Sequence, residues 1–178
     1  MKKTLLAVGM TVVLLMAAKA QATLIDQGNG LVYDDVNQIS WTQDANLSGL
    51  ASNYIAQVAW ADGLSLAGYD DFRLATIDEL ASLYAQLPGA AGSNKTGAQS
   101  LFVDIQDNYW SGTSFSATQA WGYRFSVGQA DVGSQRHKYY GWAVVPDSPT
   151  LIPEPSSVVV LGLGLLGLRV VRRWRRDD

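Results

Sequence analysis

The chain has 178 residues, 48% hydrophobic and 16% charged, with a net charge of −3, which is room for about one domain of the usual ~100–200 residues. Residues 23–150 hold five basic against thirteen acidic side chains, a net of −8, and so acidic a segment repels phosphate, which excludes nucleic acid as a partner. With no Cys and a single His, His137, disulfides, thiolate nucleophiles, Cys-ligated zinc, multi-His metal sites and most Ser/His or Cys/His catalysis are excluded as well.

Met1-Lys2-Lys3 is a short basic start, residues 4–18 carry no charge and are largely apolar, and Ala18-Lys19-Ala20 and Ala20-Gln21-Ala22 are small-residue exits. That order predicts a secretory signal peptide over residues 1–22. Cleavage is expected after Ala22, with Ala20 and Ala22 in the processing site and Thr23 as the new start. An exported chain without Cys has to be stable through its core alone, which a domain of this size can manage.

Beyond the signal, Leu31-Val32-Tyr33 and Ile39-Ser40-Trp41-Thr42 are β-type runs around the turn Asp34-Asp35-Val36-Asn37. In the second run Ile39 and Trp41 alternate with Ser40 and Thr42, the pattern of a half-buried strand. Tyr54, Ile55, Val58, Ala59, Ala61 and Leu64 fall at helical spacing and predict a helix over residues 52–64. Gly68-Tyr69-Asp70-Asp71 is a turn and Phe72-Arg73-Leu74 a short strand. Thr76-Ile77-Asp78-Glu79 reads as a capping box, in which the Thr76 hydroxyl and the Glu79 carboxylate each accept from the other's backbone N–H. The helix it opens should run to about Leu87, burying Leu80, Leu83, Tyr84 and Leu87 before Pro88-Gly89 ends it. A Gly/Ala/Ser/Asn loop spans residues 89–97, and three aromatic strands follow: Tyr109-Trp110-Ser111-Gly112, Trp121-Gly122-Tyr123-Arg124-Phe125 and Tyr139-Tyr140-Gly141-Trp142-Ala143-Val144-Val145. In the second of these Trp121, Tyr123 and Phe125 share one face. Two helices with strands at both ends predict an α+β domain with a small, mostly antiparallel sheet over residues 23–145.

Pro146, Pro149, Pro153 and Pro155 make residues 146–155 an extended linker. Residues 158–168 then carry no polar side chain, and Arg169 and the stop-transfer residues Arg172, Arg173, Arg175 and Arg176 close the run around Trp174. Residues 156–171 would rise ~24 Å as a helix against a hydrocarbon core of ~30 Å, so the expected element is a short C-terminal transmembrane helix. The Arg cluster places its far end in the cytoplasm and the domain outside. Gly162-Leu163-Gly164-Leu165-Leu166-Gly167 matches G-x-G-x-x-G literally, but only eleven residues follow it. A dinucleotide fold needs a helix and a second strand there, so no cofactor is expected.

Pro153-Glu154-Pro155, the apolar run and the Arg cluster, in that order over residues 153–176, resemble the PEP-CTERM sorting signal of exopolysaccharide-producing Gram-negative bacteria. The resemblance implies an exosortase-type membrane protease or transpeptidase as partner, acting near Pro153-Glu154-Pro155. It also implies a precursor anchored in the inner membrane, and a final place at the cell surface or in the extracellular matrix. Gly68-Tyr69-Asp70-Asp71-Phe72-Arg73-Leu74-Ala75-Thr76, together with the runs around Leu31, Trp110 and Trp121, resembles the Lcl C-terminal domain family. That likeness implies a C-type-lectin-like fold, distantly related to the formylglycine-generating-enzyme fold. Phe72 stands where the family usually has Trp, Ala75 where it usually has Pro, and its frequent cysteines are missing. No catalytic residue carries over, because the oxygen-using enzymes of the wider fold need an active-site Cys.

Calcium is the first chemistry to weigh, since Asp34-Asp35-x-Asn37 and Asp104-x-x-Asp107-Asn108 cluster hard oxygens. Neither has the glycine and terminal Glu of an EF-hand loop, and the sugar-binding Glu-Pro-Asn and Gln-Pro-Asp triplets of classical C-type lectins are absent. Asp and Asn in turns are commonly structural, so no metal is assigned. Asp70/Asp71 and Asp104/Asp107 are the carboxylate pairs a glycosidase would draw on. His137, between Arg136 and Lys138, reads as a solvated loop residue. Aromatic faces that stack on sugar rings offer another route to a ligand, through Tyr109-Trp110, residues 121–125 and residues 139–142, although most of the aromatics, with Trp41, Trp60, Trp110, Trp121 and Trp142 all in regular elements, are expected in the core. The expected molecule is a non-enzymatic, lectin-like envelope or matrix module with exopolysaccharide as a candidate ligand. A secreted polysaccharide hydrolase and a ligandless structural component are the alternatives.

Overall fold

Residues 23–99 and 101–146 are described by a computed structural model. The signal segment 1–22, the linker beyond residue 146, the apolar run and the Arg cluster lie outside the described residues. Among the described residues no helix is long and apolar enough to cross a membrane.

Three short strands lead, β1 (Leu24–Asp26), β2 (Leu31–Asp34) and β3 (Ile39–Thr42), followed by α1 (Tyr54–Asp62), β4 (Arg73–Leu74) and α2 (Ile77–Gln86). The second half is all strand: β5 (Gly97–Gln99), β6 (Phe102–Ile105), β7 (Asn108–Ser114), β8 (Gln119–Arg124), β9 (Gln129–Ser134), β10 (Tyr140–Gly141) and β11 (Ala143–Pro146). One sheet runs β1-β2-β3-β11-β4, a second β10-β7-β8-β9, and β5 pairs with β6 apart from both. Among the described residues the strand ladders are antiparallel except β10 with β7, where Tyr140 lies opposite Tyr109 and Gly141 opposite Trp110. Two helices on mostly antiparallel sheets make this an α+β fold.

α2 follows from its sequence. The Thr76 hydroxyl accepts from the Glu79 N–H at 3.2 Å, and the Glu79 carboxylate accepts from the Thr76 N–H at 2.7 Å. Leu80, Leu83 and Tyr84 face the core, and Leu87 is buried just past the last turn. α1 departs from its apolar spacing. Ile55 is 68% exposed and Ala59 faces solvent, while Gln57 and Ala61 are the buried positions. The reason is hydrogen bonding: the Gln57 amide donates to the carbonyls of Leu50 (2.8 Å) and Tyr139 (3.2 Å), which fixes the helix face against β10.

Two strand readings need correction. β3 is not half-buried, because Ser40 and Thr42 are as enclosed as Ile39 and Trp41. It lies between β2 and β11, and Ser40 accepts from the Gln27 amide on its polar side. The run of residues 139–145 is not one strand. Its start pairs with β7, and after Trp142 the chain crosses to the other sheet, where Val144 lies opposite Trp41 and Ala143 opposite Leu74.

Trp142 is the hinge of that crossing and the centre of the core. Its ring packs on Trp41, Phe102, Tyr109 and Phe125 at centroid distances of 5.1–5.5 Å, and its indole N–H donates to the Thr42 carbonyl at 3.0 Å. Such aromatic pairs add ~0.5–1.5 kcal/mol each beyond area burial, which is how a chain without disulfides ties two sheets together. Tyr109, Trp110, Tyr123 and Phe125 are buried too. Tyr123 and Phe125 pack on each other and on Tyr84 of α2, whereas Trp121 on the same strand is half-buried against Phe115.

Candidate functional site

Asn53 caps α1, accepting from the Ala56 N–H at 2.9 Å, and Tyr54 turns inward to meet the Trp110 ring edge-on at 5.7 Å. With Tyr54 and Gln57 inward, Ile55, Ala56 and Ala59 must face out. Backbone bonds then bring two other segments alongside. Ser52 and Tyr139 exchange N–H to carbonyl bonds, the Tyr54 N–H donates to the Gln135 carbonyl, and the Gln135 N–H donates to the Thr118 carbonyl. Between α1, the β7–β8 turn and the end of β9 lies a groove of about 600 Å³, within the size range of small-ligand sites.

The groove has two chemical sides. Ile55, Ala56, Ala59 and Ala117 are its apolar lining, and Asn53, Thr118, Ser134, Gln135 and Arg136 supply amides, hydroxyls and one guanidinium. Arg136 is the single charged side chain in the lining, and no carboxylate is present there. The polar wall is held in place: the Ser134 hydroxyl accepts from the Arg136 N–H, the Ser134 carbonyl from the His137 N–H, and the Gln135 amide reaches the Ser116 and Gln119 carbonyls. The lining presents an apolar face, amides, hydroxyls and one guanidinium, and no acid–base pair.

The residues singled out by sequence lie elsewhere. Asp34 has no exposed surface, and its oxygens accept from the N–H groups of Val36 and Asn37, the Asn37 and Gln86 amides and the Trp41 indole. Asp35 accepts from the Thr23 N–H. Those carboxylates are occupied as turn and inter-element acceptors. Asp104 accepts from the Asn46 and Gln106 amides, while Asp107 turns away to the Ser126 N–H and the Asn108 amide, so the two do not share a site. Among the described residues no three His, Cys, Asp or Glu are grouped to hold a metal ion. Asp70 and Asp71 are exposed in their turn, and His137 is exposed beside the groove without lining it.

Most of the aromatics in the segments weighed for sugar stacking are core, as expected for Trp110 and Trp142, and those segments present no fully exposed ring. Tyr109, Trp110, Tyr123, Phe125 and Trp142 build the core, Trp121, Tyr139 and Tyr140 are half-buried, and the exposed large aromatic among the described residues is Phe115, 56% accessible. Flat aromatic strands in a small domain are the cheapest source of buried area, so they were drawn inward.

Two charged groups are consumed structurally. Arg73 clamps Glu79 with both guanidinium nitrogens at 2.7 and 2.8 Å, the one salt bridge among the described residues. Burial alone would raise the Glu79 carboxyl, but the bonds from Arg73 and the Thr76 N–H outweigh it and hold the group below its usual range. The bond to Glu79 raises Arg73 against the opposing pull of burial. Lys95 is buried, its ammonium donating to the Tyr84 and Leu87 carbonyls at 2.7 and 2.8 Å at the end of α2, and burial lowers its pKa.

Nothing in the sequence marked the groove. Asn53 was not read as a helix cap, although an Asn just ahead of an apolar helical spacing is that signal, and Ala117, Thr118, Ser134 and Gln135 carry no pattern. Two family models match the chain: the Lcl C-terminal domain over residues 30–145 and the PEP-CTERM protein-sorting motif over residues 151–176. No curated protein and no solved structure gives a significant match.

Proposed function

The chain belongs to the Lcl C-terminal domain family and carries a PEP-CTERM protein-sorting motif, the mark of an exported protein handled by exosortase, and from that premise we propose a non-enzymatic, lectin-like binding module displayed on the surface or in the matrix of a Gram-negative cell. In this reading residues 1–22 leave after Ala22, and residues 23–145 form a C-type-lectin-like domain on the 146–155 linker. The apolar run over residues 156–171 and the Arg172, Arg173, Arg175 and Arg176 cluster hold the precursor in the inner membrane. An exosortase-type enzyme then acts near Pro153-Glu154-Pro155. The ligand is a glycan of the exopolysaccharide around the cell, bound in the α1 groove.

The observation that carries the reading is the lining of that groove. Its apolar side suits the hydrophobic faces of sugar rings, and Asn53, Thr118, Ser134, Gln135 and Arg136 suit their hydroxyl or carboxyl groups. A glycosidase needs two carboxylates flanking the scissile bond at ~5–9.5 Å, and the lining has none, which favours binding over hydrolysis.

The test is equilibrium binding of the exported protein to the exopolysaccharide of its own host. Ala59→Trp, which fills the groove, and Arg136→Ala should each weaken binding at least about tenfold, or ~1.4 kcal/mol, with unchanged melting. Release of new reducing ends, lost on Asp→Asn substitution at Asp70, Asp71, Asp104 or Asp107, would instead establish the hydrolase. Absence of both binding and turnover would leave a structural component without a specific ligand.

A further inference from the structure

Asn-x-Ser/Thr is the triplet whose side-chain amide accepts a glycan in exported proteins, and this chain has two, Asn46-Leu47-Ser48 and Asn94-Lys95-Thr96. Sequence does not choose between them. The structure treats them differently.

In the first triplet the nucleophilic nitrogen is engaged. Asn46 Nδ2 donates to the Asp104 carboxylate at 2.8 Å, a charge-assisted bond. Asn46 Oδ1 and the Ser48 hydroxyl are both enclosed by protein atoms and lack a partner, so both polar ends of the triplet point into the molecule. An enzyme would have to break the Asp104 contact and extract both side chains.

In the second triplet the middle residue is the root. The Lys95 N–H donates to the Phe125 carbonyl at 2.9 Å, and its buried ammonium holds the Tyr84 and Leu87 carbonyls. With Lys95 turned inward, Asn94 before it is exposed and Thr96 after it is half-exposed. Asn94 Oδ1 accepts from both the Thr96 N–H and the Thr96 hydroxyl, each at 2.9 Å. That closes the triplet into an Asx turn and leaves Asn94 Nδ2 without a hydrogen bond among the described residues. The hydroxyl bond draws electron density toward Oδ1, which eases loss of an Nδ2 proton.

We propose that Asn94 is an N-glycosylation acceptor, modified after export by an oligosaccharyltransferase using a lipid-pyrophosphate-linked oligosaccharide. Asn94 Nδ2 forms a bond to the anomeric carbon of the first sugar. The bond from that carbon to the pyrophosphate oxygen breaks, the lipid pyrophosphate leaves with the electron pair, and the Nδ2 proton passes to a base of the transferase. No oxidation or reduction takes place. The proposal rests on export alone and not on the groove, which Asn94 does not line.

The experiment is chymotryptic peptide mapping by mass spectrometry of the full exported chain purified from its own host. The peptide carrying Asn94 should be heavier by one oligosaccharide. Thr96→Ala should return that peptide to its bare mass, Thr96→Ser should keep the glycan, and Asn46→Gln should change nothing. A melting curve of Asn94→Gln matching the parent shows that the loss of glycan is not a loss of fold. A bare Asn94 peptide in the exported parent protein, or a glycan carried on Asn46 in its place, overturns the assignment.

Discussion

Removing the Asp34 carboxylate should cost the domain about 3–5 kcal/mol. The side chain has no exposed surface and joins three elements: its own turn through the Val36 and Asn37 N–H groups, β3 through the Trp41 indole at 3.2 Å, and α2 through the Gln86 amide at 3.1 Å. In Asp34→Ala the Trp41 N–H keeps its burial and loses its acceptor, at ~1–3 kcal/mol for an unpaired buried donor. The bonds to Gln86 and the turn are charge-assisted and worth ~1.5–3 kcal/mol each when made, but both donors sit close enough to solvent to recover part of that through water. Asp34→Asn keeps the shape and one acceptor oxygen, so about half the loss is expected. Asp35→Ala, which removes an exposed acceptor for the Thr23 N–H, should stay within ~0.5 kcal/mol and serves as control. Urea unfolding of residues 23–146 at 25 °C measures all three, provided the slope with denaturant is unchanged. An Asp34→Ala midpoint within ~0.5 kcal/mol of the parent would refute the account of Asp34 as a structural acceptor. So would a calcium-dependent rise in melting temperature abolished by the same substitution, because a ligand of the native state must stabilise it.

Three further outcomes are expected. Thr76→Ala removes the cap of α2 and should lower stability by ~0.5–2 kcal/mol in thermal unfolding. Glu79 is held below its ordinary carboxyl range, so its contribution is present in full above the unfolded-state value and is lost as pH falls through the lowered folded-state value. A pH series of unfolding midpoints should therefore show an acid-side decline that is shallower in Glu79→Gln; an identical decline in both would refute the Arg73 clamp as its source. Gly128→Ala drives a Cβ into the Tyr84 ring on a backbone with φ of +68°. It should destabilise by more than ~1 kcal/mol, and a neutral result in the same unfolding assay would mean that α2 and the turn after β8 can separate without cost.

Local chemistry carried its information in the sequence, while anything that depends on which neighbour covers a residue did not. The Thr76-x-x-Glu79 spacing and the apolar positions Leu80, Leu83 and Tyr84 lie within one helix, so backbone periodicity alone specifies α2 and its buried face. The turn at Asp34 and the hairpin around it are equally local. The ordered Pro-Glu-Pro motif, apolar run and Arg cluster are a linear address, legible because a sorting enzyme reads it as a sequence. By contrast, the inward face of α1 was decided by Gln57 reaching the Tyr139 carbonyl, 82 residues away. The switch of residues 139–145 between sheets was decided by Trp142 entering a core assembled from five segments. β9 has few residues that favour a strand, and β8 supplies its ladder from outside. The groove exists because backbone bonds set Asn53, Thr118 and Gln135 side by side. Those bonds involve no side-chain type, so the sequence determined the address and the helices while the tertiary packing alone decided where the groove lies.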